Sequence, residues 1–374
     1  MSTGYWDRLA LVAAAAEGSD EAVEVVLSSE DLTSYALASQ LGPSLALAAR
    51  RRGLEGPAVD SSTGRLRSSA TSWLLVAEAA RHVFAALAAT GFRWVPIKGF
   101  DVGTRFYPSR EERPLSDLDV LVERAGLEAS RAALTASGWT SRETSPLAQR
   151  FVAEEGYTYH YSGFDSTTLP TSLVEIHFRL WGMVPEGLEV EILEAARLEP
   201  GDSVSCLRVD PVHAYVVAAT HGWTRTPPHD LVDWRDLERI SSTVGWTRAR
   251  SSPAAVIDCA RRWSLELPVC LSAQVAARVW PGSVHGEIAR ALEPTLRPIE
   301  RRQLRRLREE GLDAMTVSRV VLARLLAGRS SRAGWRSVWR RVWAHPGVVE
   351  LETSDDLSWS RRRWDHLRRS LTGA

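Results

Sequence analysis

The sequence has very little lysine. Lys98 is the single lysine among 46 basic residues, and all the others are arginine. A GC-rich genome accounts for an excess of arginine, but it does not account for the position of the exception. Lys98 stands in the densest run of site-like residues in the chain, beside Gly99 and shortly before Asp117 and Asp119. The lysine therefore indicates where chemistry should be sought.

Three further deficits exclude classes of protein. The chain has 46 basic and 46 acidic residues, so no overall charge draws it to nucleic acid or to an anionic membrane. Cys206, Cys259 and Cys270 form no CxxC pair or His-Cys motif, which predicts neither a disulfide framework nor a structural zinc site. No apolar run approaches the roughly 20 residues of a membrane span, and the first residues do not resemble a signal peptide. We expect a cytoplasmic protein with no membrane partner, and we do not expect nucleic acid as a partner.

The organisation of the chain is predicted from apolar spacing and composition. Residues 19–52 show helical spacing, and residues 53–69 have the Gly/Pro/Ser-rich composition of a loop. We predict an N-terminal helical segment at residues 1–68, an α/β core at residues 69–190 and a helical C-terminal domain at residues 191–374.

Within the core, short strands alternate with helices. The predicted elements are a helix over 71–90, a strand over 92–97, a short helix over 100–107, a strand over 118–122, a helix over 125–137, and strands near 139, over 157–161 and over 173–178. Everything after about residue 190 is predicted to be helical. Its Arg/Trp-rich end, around residues 301–308 and 335–343, is expected to form a solvated or partner-binding face.

A pair of aspartates supplies the first functional signal. Asp117 and Asp119 lie two residues apart in a predicted strand, so both carboxylates share one face while Leu118 and Val120 point into the core. Two such carboxylates suit Mg²⁺, which completes its shell with water and substrate phosphates. A third carboxylate on a neighbouring strand would allow a second metal ion, and Glu175 is the best candidate.

Simpler explanations exist for each of these residues. An Asp-x-Asp pair also suits an exposed strand face or a turn, and Glu175 also suits a half-exposed strand position. His177 shares the face of Glu175. Because magnesium prefers oxygen, we expect His177 to contact the ligands and not the metal ion. Lys98 would equally suit a surface ion pair with Asp101 or Glu112.

Three motifs follow one another in the core. They are Lys98-Gly99, the strand Arg-Pro-Leu-Ser-Asp-Leu-Asp that begins at Arg113, and a Glu-Ile-His strand at residues 175–177. Each motif alone is weak evidence. In this order they resemble the uncharacterised bacterial nucleotidyltransferase family within the DNA polymerase beta-like superfamily. The resemblance extends more weakly into a helical region that includes His221.

The resemblance implies a fold and a reaction. The fold would be α+β, with a polymerase beta-like nucleotidyltransferase core of a small mixed sheet and flanking helices. The reaction would use two Mg²⁺ ions to move a nucleoside monophosphate from an NTP such as ATP to a hydroxyl group. The implied catalytic and metal-binding residues are Asp117, Asp119 and Glu175, with Glu175 also a candidate base. His177 and His221 would contact and orient these ligands without binding the metal themselves.

The predicted phosphate contacts surround the glycine turn. A lysine there binds a phosphate as a point charge, while the glycine lets the backbone come close. The superfamily has Gly-Ser or Gly-Gly where this chain has Lys-Gly, so the resemblance is weakest at the triphosphate. Arg105 and Arg113, two further candidates, would each also suit an ion pair with a neighbouring carboxylate. The candidate nucleotide contacts are Lys98, Gly99, Arg105, Arg113 and Ser116.

The function predicted from these residues is a Mg²⁺-dependent nucleotidyltransferase acting on a small molecule, peptide or protein. Similar proteins occur beside genes for ribosomally made, modified peptides such as lasso peptides, which implies a role in the biosynthesis of such peptides. Two alternatives stay open. One is a non-catalytic binding or regulatory protein, which the complete set of carboxylates argues against. The other is an aminoglycoside-type drug nucleotidyltransferase, which an acidic acceptor pocket would support.

Overall fold

A small sheet lies among many helices in the computed structural model. The structure describes residues 4–142, 161–166, 173–178, 180, 187–199, 206–223, 231–243 and 252–312, together with residues 315, 320 and 323. Helices and a mixed sheet alternate in the first part of the chain, and helices dominate the rest. The predicted α+β class is confirmed.

Five helices precede the sheet. They are α1 (Tyr5–Ala16), α2 (Asp20–Leu27), α3 (Glu30–Ala38), α4 (Gly42–Arg51) and α5 (Pro57–Ala88). The hydroxyl of Ser29 accepts a hydrogen bond from the backbone of Leu32, which caps α3. The helices predicted for residues 19–52 are confirmed.

The loop predicted for residues 53–69 is wrong beyond its first residues. Gly56 adopts a φ of 130°, and α5 starts at the next residue, Pro57, where a missing N–H removes no helical hydrogen bond. Ser62 and Ser69 are buried, so packing outweighs the weak helix propensity of serine. Helix α5 therefore crosses the predicted boundary between the first two domains, and the division into three domains stays a prediction.

Within the described residues, the sheet has five strands in the order β1-β2-β5-β4-β3. The strands are β1 (Trp94–Pro96), β2 (Asp117–Val122), β3 (Trp139–Arg142), β4 (Tyr161–Ser166) and β5 (Leu173–His177). Strands β2 and β5 pair in parallel, and the other pairs are antiparallel. Strand β4 meets the predicted strand at Tyr161, while residues 157–160 lie outside the described residues.

Two helices connect the strands, and one face of the sheet packs on helices. Helix α6 (Lys98–Phe106) follows β1, and α7 (Leu127–Ala136) follows β2. Leu118 and Val120 are fully buried and share an apolar cluster with Phe84 of α5. This burial holds β2 with its other face, which carries the aspartates, directed away from the C-terminal half of α5.

Among the described residues from 187 onward, the chain is helical apart from one short hairpin. Its helices are α8 (Leu188–Ala195), α9 (Pro211–His221), α10 (Leu231–Thr243), α11 (Pro253–Arg262), α12 (Glu266–Val279), α13 (His285–Leu292) and α14 (Pro298–Glu310). Strands β6 (Arg197–Leu198) and β7 (Leu207–Arg208) pair between α8 and α9. The prediction of helix throughout is wrong here, because two-residue strands are too short to show a period. Residues 335–343 lie outside the described residues.

The N-terminal and C-terminal helices share a second apolar core. Leu9 and Val12 of α1 belong to the same buried cluster as Val269 of α12 and Leu121 of β2. The second face of the sheet therefore looks toward both groups of helices. Among the described residues, none of the helices combines the length and the apolar content that crossing a lipid bilayer requires.

Candidate active site

Strand β2 presents both aspartates on one face. Leu118 and Val120 have no exposed surface, and Asp119 between them is 5% exposed. Asp117, at the start of the strand, is partly exposed. The predicted alternation is confirmed, because the apolar side chains fill the core and the carboxylates leave it.

The parallel partner strand brings a third carboxylate to the same place. Asp119 pairs with Glu175, and Leu121 pairs with His177. The Nε2 atom of His177 lies 2.7 Å from Oδ1 of Asp119 and 3.5 Å from Oε2 of Glu175. Residues far apart in sequence therefore form one compact cluster.

Lys98 reaches into this cluster from the first turn of α6. Its Nζ atom lies 2.8 Å from Oδ1 of Asp119 and 3.3 Å from Nε2 of His177. The backbone of Lys98 has a φ of 55°, in the left-handed region that costs a non-glycine residue about 1–2 kcal/mol. The chain thus accepts a strained conformation at the point where the lysine meets the carboxylates.

The two aspartates have opposite electrostatic surroundings. Burial raises the pKa of Asp117 to about 6, and the negative charges of Asp119 and Glu175 act in the same direction. Burial would also raise the pKa of Asp119, but the Lys98 ammonium and the His177 hydrogen bond hold that pKa well below its usual range. Asp119 therefore stays ionised, whereas at Asp117 the Lys98 charge only partly offsets the burial and the two like charges.

The donor atoms of this cluster fit a divalent metal ion. Asp119, Glu175 and His177 each offer one ligand atom, and these atoms all lie within 4.8 Å of one another. Carboxylate oxygens suit Mg²⁺, and an imidazole is accepted more readily by Mn²⁺ or Zn²⁺. Asp117 adds a further carboxylate on the same strand face. The sequence placed His177 behind the ligands, whereas the geometry puts its Nε2 among them, and its role stays a prediction.

A second group of this kind lies among the C-terminal helices. Glu191, His213 and Cys259 offer ligand atoms within 4.8 Å of one another, which the spacing of the cysteines did not indicate. The carboxylate of Glu191 already accepts hydrogen bonds from Arg262 at 2.8 Å and from Trp263 at 2.9 Å. Burial raises the pKa of the Cys259 thiol to about 12. Glu191 is therefore already engaged in hydrogen bonds within the protein.

A cleft of about 470 Å³ opens beside Asp117 and Asp119. This volume falls in the range of small-molecule sites. Its walls come from α3, α4 and α5 on one side, from the turn at Lys98 and the segment leading into β2, and from His221 at the end of α9. The N-terminal helices therefore form part of the candidate site.

Gly99 and Ser116, two of the predicted nucleotide contacts, also line this cleft. A Cβ atom added at Gly99 would lie 2.8 Å from a terminal methyl group of Leu115, so a larger residue here would have to displace that side chain. The hydroxyl of Ser116 donates to Oδ1 of Asp117 at 3.2 Å. Both residues lie where a phosphate near the carboxylates would be in reach.

Arg113 lines the cleft, but its guanidinium is already hydrogen-bonded within the protein. It donates to both oxygens of Asp236 at 2.9–3.1 Å, and its NH1 donates to the carbonyl of Pro114 at 2.7 Å. The Tyr107 hydroxyl donates to the same carboxylate at 2.9 Å. Arg113 therefore fixes the segment before β2, and its predicted contact with the nucleotide stays a prediction.

Arg105 also has carboxylate partners. It donates to Asp101 and to the carbonyl of Val209, each at 2.9 Å, and it contacts Glu199. Asp101 is fully buried, and this burial raises its pKa against the opposing effect of Arg105 and Arg208. Arg105 is not among the residues that line the cleft, so the structure does not bring it together with Lys98 and Gly99.

His221 ends α9 and lines the cleft. It also borders a small cavity of about 20 Å³ beside Asp233 and Lys98. That volume holds about one water molecule and no substrate. His221 thus lines the same cleft as Asp117 and Asp119, and its supporting role stays a prediction.

A buried charge network supports the site, and it was not predicted from the sequence. Arg235 donates to Glu17 and Glu112, each at 2.8 Å, and also contacts Ser44. The network joins α1, α4, the turn before β2 and α10. Only the low exposure of charged residues reveals it, and in the sequence these arginines look like the many others.

The comparison with protein families gives a match over most of the chain. The model of a family described as an uncharacterised nucleotidyltransferase matches residues 28–281. The matched region includes every residue that lines the cleft, together with β1–β5. No curated protein matches the chain.

Proposed function

Because the chain belongs to the uncharacterised nucleotidyltransferase family, we propose that it is a Mg²⁺-dependent enzyme that moves a nucleoside monophosphate from an NTP to a hydroxyl group. One observation carries the proposal. Asp119 and Glu175 stand side by side on parallel strands, and Asp119 and Asp117 line a cleft of about 470 Å³.

The metal would be held by carboxylates of β2 and β5. Asp117, Asp119 and Glu175 are the proposed ligands, with His177 close enough to bind or to orient Asp119. Mg²⁺ bound there would neutralise the triphosphate and lower the pKa of the attacking hydroxyl. The presence of two ions is part of the proposal.

The proposed reaction is a single displacement at phosphorus. The acceptor oxygen forms a bond to the α-phosphorus, the bond from that phosphorus to the bridging oxygen breaks, and pyrophosphate leaves. The hydroxyl proton passes to a carboxylate of the enzyme. We assign this role to Glu175, because Lys98 and His177 hold the pKa of Asp119 low and make it a weak base.

The lining of the cleft limits the acceptor. Among the described residues, its carboxylates are Asp117 and Asp119, both on the metal-binding face, whereas its cations include Arg65. A polycationic aminoglycoside would find no further acidic residue there, so this lining does not favour the drug-modifying alternative. A modified peptide as the acceptor, in the biosynthesis implied by the resemblance, stays a prediction.

The carboxylates also argue against a protein that only binds a partner. Burial and two like charges raise the pKa of Asp117 to about 6. Such an arrangement costs stability in the absence of a cation, and perturbed carboxylates of this kind cluster at functional sites. A binding protein would have no need to maintain it.

The proposal is tested with labelled nucleotides. The protein is incubated with Mg²⁺ and each α-labelled NTP, starting with ATP, and both pyrophosphate release and label on the protein or an added hydroxyl compound are measured. Asp119→Asn should abolish the signal, whereas Asp258→Asn, at an exposed position on α11, should retain it. Equal silence of wild type and Asp119→Asn with every nucleotide and acceptor would favour the binding protein.

A further inference from the structure

Helix α5 directs a polar stripe into the cleft. Arg65, Ser68 and Ser72 are spaced three and four residues apart, so they lie on one face of the helix. All three line the same cleft as Asp117 and Asp119. None of the motifs that predicted the site includes this stripe: Arg65 and Ser68 lie in the predicted loop at residues 53–69, and Ser72 lies at the start of the helix predicted for residues 71–90.

Arg65 differs from the other cations of the cleft. The Lys98 ammonium contacts Asp119 at 2.8 Å, and the Arg113 guanidinium contacts Asp236. Arg65 is exposed, and among the described residues it has no carboxylate within ion-pair distance. Its charge is therefore available to a ligand that enters the cleft.

The stem of Arg65 is held against helix α4. A Cβ atom added at Gly42 would lie 3.1 Å from both Cβ and Cγ of Arg65, so the glycine allows the two helices to approach closely. The nearby α4 backbone limits the first side-chain torsion of Arg65, and a side chain with fewer accessible rotamers loses less entropy when its guanidinium binds a ligand.

We propose that Arg65, with the hydroxyls of Ser68 and Ser72, binds the β- and γ-phosphates of the nucleotide. The inference rests on the proposed function and adds a phosphate site from the N-terminal helices. A planar guanidinium matches phosphate oxygens in two parallel hydrogen bonds, and serine hydroxyls add neutral donors. The polyphosphate must extend from the metal carboxylates, and the stripe borders the cleft that those carboxylates share.

The test measures binding of inorganic tripolyphosphate, the part that all NTPs have in common. Calorimetric titration in Mg²⁺ at fixed salt compares the wild type with Arg65→Gln. We expect the substitution to weaken binding about tenfold, as the loss of a hydrogen bond to a charged group implies. Ser68→Ala combined with Ser72→Ala should weaken it about threefold.

Arg67→Gln is the matched control. Arg67 lies on the same helix two residues further along, is exposed, and does not line the cleft. It should leave tripolyphosphate affinity within about twofold of the wild type. Thermal unfolding of each variant checks that the helix is intact.

Three results would overturn the inference. The first is equal affinity of Arg65→Gln and wild type for tripolyphosphate, and the second is a wild type that does not bind it. The third is an Arg65→Gln enzyme with an unchanged KM for the NTP and a raised KM for the acceptor, which would assign the stripe to the acceptor. In each case nucleotide labelling by the wild type separately decides the proposed function.

Discussion

Two groups of charged residues lie on either side of the segment that leads into β2, and they differ in balance. In one, Arg113 pairs with Asp236, and Arg235 and Arg239 pair with Glu17 and Glu112, so each of these carboxylates has an arginine partner. In the other, three carboxylates share a single lysine at the edge of a cleft. In the first group the arginines and carboxylates pair with one another, whereas the second group has more carboxylates than cations.

This difference separates structure from function. A balanced buried pair needs no ligand, and removing one partner leaves an isolated charge that destabilises the fold. An acidic excess beside a cleft is satisfied only by a cation from outside. We therefore assign a stabilising role to the Arg113 and Arg235 pairs and a metal-binding role to the carboxylates.

The largest effect is expected at the centre of the acidic group. Asp119→Asn removes a carboxylate that contacts both Lys98 and His177, and it should lower nucleotidyl transfer about a thousandfold, or roughly 4 kcal/mol of transition-state stabilisation. Initial rates of pyrophosphate release measure this, while circular dichroism confirms the fold. A variant with more than a tenth of wild-type activity would break the comparison.

The balanced group should respond in stability. Asp236→Ala removes the carboxylate that is hydrogen-bonded to the buried Arg113 guanidinium, with Asp233 remaining at 3.8 Å, and should lower the free energy of unfolding by about 3 kcal/mol. Urea denaturation measures the change. Asp258→Ala, at an exposed site, is the control. If Asp236→Ala were as stable as the wild type, the network would not be what holds the segment before β2.

The acidic group should also make the stability of the protein depend on pH. The pKa of Asp117 is raised from 3.8 to about 6, so the stability that its protonated form contributes is present below about pH 4 and is lost as pH rises through 6. In EDTA, Asp117→Asn should therefore be more stable than wild type by about 1–3 kcal/mol at pH 8. The difference should shrink toward pH 4. Thermal unfolding at both pH values tests this, and a constant difference would contradict it.

The smallest effect is expected for the lysine that joins the acidic group. Lys98→Ala removes the ammonium 2.8 Å from Asp119, and it should raise the KM for the NTP about tenfold while the fold is retained. Steady-state kinetics with varied NTP measures the change. Unchanged NTP affinity and turnover would mean that the single lysine has no part in phosphate binding.

The site could be predicted where it depends on local spacing. A strand directs alternate side chains to opposite faces, so the sequence was enough to place Asp117 with Asp119 and Glu175 with His177. It was also enough to predict an apolar inner face, which Leu118 and Val120 confirm. Local geometry of this kind needs no knowledge of the remaining chain.

Contacts between distant segments could not be predicted. The pairing of Asp119 with Glu175 depends on the parallel register of β2 and β5, and the partner of Arg113 lies 123 residues away in α10. The helical wall around Arg65 was missed because its serines and glycine suggest a loop in isolation. There, packing on α4 decides the conformation.

The central claim is that the carboxylates of β2 and β5 bind a divalent metal. Mn²⁺ serves as a paramagnetic substitute, and its binding is measured by electron paramagnetic resonance with a non-hydrolysable NTP analogue present. We expect saturable Mn²⁺ binding by the wild type and by Asp258→Asn, and loss of this binding in Asp119→Asn. Equal Mn²⁺ binding by all three proteins would contradict it.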